Sequence, residues 1–151
     1  MNTIMKTLSI AALAGLAYAP VATAEVSEHF IIHELEKTPQ GAATLIRDFI
    51  AMSDDWSLNG EFEMMGGAAV GMKICFNDMR RYVAQAGLHN LAMMPCGNIA
   101  FYQEDGQTYL SMLDVGYLTT LSPHPALEEG VALARQAYAA MFAEVLGAEQ
   151  D

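Results

Sequence analysis

The stretch NIAFYQEDGQTYLSM, residues 98–112, decides the fold. Asp105-Gly106 favours a two-residue type I′ turn, because both central positions need positive φ and this dipeptide tolerates it. Taking that turn fixes a hairpin register in which Glu104 faces Gln107, Tyr102 faces Tyr109, Phe101 faces Leu110 and Ile99 faces Met112. Ile99, Phe101, Leu110 and Met112 then form one contiguous apolar face, while Asn98, Ala100, Tyr102, Tyr109 and Ser111 occupy the other.

Working outward, the segment from Ala69 to Phe76 alternates in the same way. Val70, Met72, Ile74 and Phe76 fall on one face, with Ala69, Gly71, Lys73 and Cys75 opposite. Phe30, Ile31, Ile32 and Leu35 read as a first strand, and Thr38-Pro39 as the start of a helix carrying Ala42, Leu45, Ile46, Phe49 and Ile50. Residues 53–57 read as a loop. Asn77-Asp78 is expected to cap a short helix that Gly87 closes in the left-handed conformation. Ser122-Pro123 opens a long helix with Glu128 and Glu129 in its first turns, a stripe through Leu127, Val131, Ala134, Tyr138, Met141 and Val145, and Gly147 beyond its end. The order strand, helix, strands, helix, hairpin, helix predicts an α+β domain: a mainly antiparallel sheet with helices on one face.

The 151 residues have 53% hydrophobic content yet a formal charge of −11. Residues 1–24 account for much of the apolar excess: Lys6, an uncharged run from Leu8 to Ala19, and Ala22-Thr23-Ala24 as a small-x-small cleavage site make a secretory signal peptide. The run is interrupted by Pro20 and falls short of a spanning helix, so no integral membrane segment is expected after cleavage. Residues 25–151 then form one domain, acidic and exported to the periplasm or beyond. The charge argues against nucleic acid and against an anionic membrane surface as partner.

In an oxidising compartment Cys75 and Cys96 are the first chemical question. By strand parity both lie on the less apolar face, provided that the strand runs regularly through Gly97; a β-bulge there would turn Cys96 into the core. A structural disulfide, unpaired thiols lining a pocket or interface, and a redox or soft-metal site are all open. Met94 and His89 are the only nearby residues that would join Cys96 in holding Cu(I). His29 and His33 share a face but lack a third ligand. Asp54-Asp55, Glu104-Asp105 and Glu128-Glu129 have local roles as loop, turn and helix first turn. No phosphate loop, dinucleotide fingerprint, calcium loop or nucleophile elbow is present, so the residues assign no catalytic group and no cofactor.

Cys75 closely followed by Asn77, then Met93-Met94-Pro95-Cys96, the strand Ile99–Tyr102, the Asp105-Gly106 turn and the carboxy-terminal amphipathic helix resemble the domain of unknown function 302 family. Phe76 and Asp78 depart from its Cys-Asn-Pro pattern. The resemblance implies a small α+β domain, a tendency to dimerise and importance for the two cysteine segments; it implies no activity. These readings favour a non-enzymatic module that binds a small ligand or partner on the sheet face bearing Cys75 and Cys96. The alternative is a thiol-redox or copper-binding protein using the same cysteines, and a homodimer is a third reading.

Overall fold

The computed structural model describes residues 27–93 and 95–148. Five strands form one antiparallel sheet in the order β1-β5-β4-β3-β2, comprising β1 (Phe30–Leu35), β2 (Trp56–Met64), β3 (Ala69–Phe76), β4 (Gly97–Glu104) and β5 (Gln107–Leu113). Helices α1 (Pro39–Ala51), α2 (Met79–Ala86), α3 (Tyr117–Leu121) and α4 (Pro125–Leu146) complete it, giving the α+β class that the sequence predicts.

The hairpin forms as expected. Asp105 and Gly106 take φ of 50° and 83°, and the β4–β5 register pairs Glu104 with Gln107, Tyr102 with Tyr109, Phe101 with Leu110 and Ile99 with Met112. Helices α1 and α4 bury their apolar stripes, Leu45 of α1 excepted because it is exposed, against the face made by Val70, Met72, Ile74, Ile99, Phe101, Leu110 and Met112. Apolar area removed from water there is the main stabilising contribution, of the order of 25 cal/mol per Å². Thr38 caps α1, its hydroxyl accepting from the Gly41 N–H with Pro39 in the first turn. Gly147 ends α4 in the left-handed conformation, φ 72°, while the Ala148 N–H donates back to the Phe142 carbonyl. That pair of features is the glycine-terminated helix end in which orphan carbonyls find donors.

Several boundaries differ. Helix α4 begins at Pro125 rather than Pro123, because His124 is its cap: Nδ1 accepts from the Ala126 N–H at 3.1 Å. Asp78 gives α2 no side-chain cap, and Gly87 has φ 114° and ψ 136°, positive but not left-handed helical. Helix α3 has no counterpart in the sequence reading. The larger correction is β2, which starts at Trp56 within the segment read as a loop. Its pairing with β3 shifts between Leu58 and Gly60, leaving Asn59 as the extra residue of a bulge. Before the bulge, Trp56 and Leu58 pair with Phe76 and Ile74 on the helix-covered face; after it that face receives Glu61 and Glu63, while Phe62 and Met64 turn outward. One inserted residue reverses every later side chain.

Candidate functional site

Strand β3 pairs with β4 from Ala69↔Tyr102 to Ile74↔Gly97. One step further along this register lie Cys75 and Cys96, whose Cα atoms are 4.3 Å apart and whose sulfurs are joined. That separation belongs to directly opposed residues of a non-hydrogen-bonded antiparallel pair. The strand runs regularly through Gly97, so both cysteines lie on the face away from the helices, as parity predicts. The bulge that parity allowed at Gly97 occurs instead in β2.

Gly97 itself faces the helices. There the Tyr138 hydroxyl, on α4, accepts from the Gly97 N–H at 2.8 Å and donates to the Ile74 carbonyl at 2.6 Å. A Cβ at position 97 would stand 2.7 Å from that oxygen, so the close approach needs glycine. The phenol is 2% exposed; burial pushes its pKa well above the usual tyrosine value, against the opposing effect of the Gly97 hydrogen bond. The disulfide on one face and this phenol on the other thus pin the same strand ends.

The disulfide is unevenly surrounded. Cys75 is 6% exposed, whereas Cys96 is only half-buried. The Asn59 side-chain amide, carried by the β2 bulge, donates to Cys75 Sγ at 2.7 Å and stands 4.0 Å from Cys96 Sγ. Asn77 fixes the neighbouring turn: its side chain accepts from the Ser57 hydroxyl at 2.7 Å and donates to the Asp54 carbonyl at 2.8 Å.

Beyond the cysteines the uncovered face has a grid that the registers define. Its central row crosses all five strands as Ile32, Ser111, Ala100, Gly71 and Phe62. Small residues stand in the middle between larger ends, and the Met64 side chain folds over Gly71, its methyl 3.0 Å from where a Cβ would stand, so the open part of the floor is Ala100 and Ser111. Tyr102 and Tyr109, stacked with ring centroids 5.5 Å apart, form one side; Asn98 and Lys73, paired across β4 and β3, form the other. Phe62, Phe30, Met64 and Ile32 on this face are 61, 48, 39 and 36% exposed. Exposed apolar side chains thus stand at both edges of this face, Phe30 and Ile32 on β1 and Phe62 and Met64 on β2, and exposed apolar surface is a mark of binding sites. A separate cavity of about 780 Å³ opens at the outer edge of β1, lined by His33, Lys37, Gln107 and Leu146 among others.

The structure brings Cys75 and Cys96 together but adds no further ligand from the suggested copper set. His89 lies against Gly87, Met94 lies outside the described residues, and no cluster of three His, Cys, Asp or Glu that could hold a metal occurs among the described residues. Sulfurs bonded to each other are not thiolate ligands. His33 faces the helices, its ring edge-on to Phe142 at 6.2 Å. Asn59 and the floor of small residues were missed by the sequence reading. The Asn59-Gly60 dipeptide was the available signal for the first, since glycine inside a strand marks a bulge.

No family model matches the sequence, and no curated protein matches it. In a structure comparison the chain is similar to the crystal structure of an uncharacterized conserved protein, DUF302, from Bacillus stearothermophilus: 16% identity, a TM-score of 0.67, covering 79% of this chain and 99% of that one. The chain therefore has the fold of a domain of unknown function 302 protein.

Proposed function

We propose that the protein is an exported, non-enzymatic binding module whose uncovered sheet face takes a small apolar or aromatic ligand. The supporting observation is the row Ile32, Ser111, Ala100, Gly71 and Phe62. The small floor at Ala100 and Ser111, walled by the stacked tyrosines and by Met64 folded over Gly71, offers van der Waals contact to a flat molecule, and the polar side at Asn98 can orient it. Export rests on the signal-like residues 1–24, which lie outside the described residues. No helix among the described residues is long and apolar enough to cross a membrane.

The test uses 1-anilinonaphthalene-8-sulfonate as probe. The native protein is expected to enhance and blue-shift its emission, and Ala100→Arg, which fills the floor, to abolish the effect with the circular dichroism spectrum unchanged. Failure of the native protein to enhance emission, or an undiminished response in folded Ala100→Arg, overturns the proposal. A second copy covering the same face would show as a response that falls with rising protein concentration alongside dimer formation in sedimentation; that outcome replaces the small ligand with self-association.

A further inference from the structure

We propose that the Cys75–Cys96 disulfide is a reversible thiol–disulfide exchange centre, in which Cys96 is the sulfur attacked and Cys75 the leaving thiolate. Exchange here is stoichiometric, one disulfide per chain, and does not depend on ligand binding at the central row.

Exposure supplies the first asymmetry. Cys75 is buried and Cys96 half-buried just before β4, directly after Pro95, so an incoming thiolate has access to Cys96 Sγ. Hydrogen bonding supplies the second. The Asn59 amide, 2.7 Å from Cys75 Sγ and 4.0 Å from Cys96 Sγ, interacts more strongly with a thiolate than with a neutral disulfide sulfur, because charge-assisted hydrogen bonds are roughly twice as strong as neutral ones. A thiolate so stabilised leaves faster. Asn59 follows Ser57, the register partner of Cys75, on the same face of β2, and the bulge leaves it without a register partner on β3, where its amide turns to the sulfur.

The third observation concerns what remains after reduction. The β3–β4 ladder up to Ile74↔Gly97 and the Tyr138 bridge between those two residues hold the strand ends without help from sulfur. The reduced thiols therefore stay opposed and can close again, which a disulfide that alone joined two loose segments would not do.

The chemistry balances with an external dithiol as reductant. Its thiolate attacks Cys96 Sγ, forming a mixed disulfide; the Cys75–Cys96 S–S bond breaks and its electron pair passes to Cys75 Sγ, held by the Asn59 N–H. The second thiolate of the reductant attacks the mixed disulfide at the reductant's sulfur, and Cys96 leaves with the electron pair. The dithiol becomes a disulfide, the protein gains two electrons, and the two protons of the dithiol end on Cys75 and Cys96 through solvent. The reverse sequence passes a disulfide to a reduced dithiol.

The experiment measures reduction of the folded protein by dithiothreitol, with thiols trapped by N-ethylmaleimide and counted by mass spectrometry while circular dichroism follows the fold. Both thiols are expected to appear with the spectrum retained. Asn59→Ala should slow reduction by about tenfold or more, given the strength of hydrogen bonds to charged groups. Asn59→Asp, which keeps the shape but repels a thiolate, should slow it further. A glutathione adduct quenched with acid should map to Cys96. Resistance of the native disulfide, reduction only with loss of the fold, an adduct on Cys75, or unchanged rates in both folded Asn59 variants would overturn the assignment.

Discussion

At residue scale the most consequential contact is Tyr138 against Gly97. Its phenol satisfies two backbone groups of one register pair, and glycine is what leaves it room. Gly97→Ala should therefore destabilise the fold by about 1–3 kcal/mol, the range for overpacking a tight site, measured as a lower urea midpoint. Tyr138→Phe should cost a similar amount, about 1–3 kcal/mol, by leaving buried polar groups without their partner. Burial also raises the Tyr138 pKa, so the unfolded chain deprotonates first as pH rises. The stability tied to this neutral phenol is fully present below the ordinary tyrosine value of about 10 and is lost as pH climbs from there through the folded-state value. Burial raises Tyr102 and Tyr117 as well, so Tyr138→Phe should make the alkaline loss of stability shallower rather than abolish it. The sequence placed Tyr138 on an apolar stripe, which was right for its ring. Nothing local in sequence showed that its hydroxyl would reach a strand end 41 residues away.

At element scale the legible parts were those whose signals are local. Asp105-Gly106 carries its own turn geometry, Thr38-Pro39 its own cap, and Gly147 its own stop. Gly147→Ala should accordingly cost about 1 kcal/mol, since an L side chain is penalised in the left-handed region, read as a drop in Tm. Strand β2 was illegible for a physical reason. Its bulge at Asn59 reverses the alternation, so Trp56 and Leu58 share a face with Glu61 and Glu63 while Phe62 and Met64 turn away. No period of two survives across such a break. Glu61 nevertheless fits the helix-covered side because Arg47 of α1 meets it: Nε donates to Oε2 at 2.9 Å. This ion pair lowers the Glu61 pKa. The Asn59 insertion thus has two consequences at once: an ion pair to α1 and apolar side chains on the uncovered face.

At the scale of the whole molecule, the helices among the described residues lie on one side of the sheet and leave the other side uncovered by them, and the cysteine parity read from sequence was correct because β4 stays regular at Gly97. What the sequence could not supply was lateral order. The row from Ile32 to Phe62 joins residues from five strands, and only the order β1-β5-β4-β3-β2 makes them neighbours. The disulfide spans 21 positions in sequence; by its effect on the unfolded chain, reduction should lower stability by about 3 kcal/mol while the ladder and Tyr138 keep the fold, checked by thermal unfolding with and without reductant. The uncovered face and the cavity beside β1 are rival locations for a ligand, and they share few residues. Amide chemical-shift mapping during titration with 1-anilinonaphthalene-8-sulfonate separates them. The binding account predicts the largest shifts at Gly71, Ala100 and Ser111; shifts gathered at Leu35, Lys37 and Gly147 instead would contradict it.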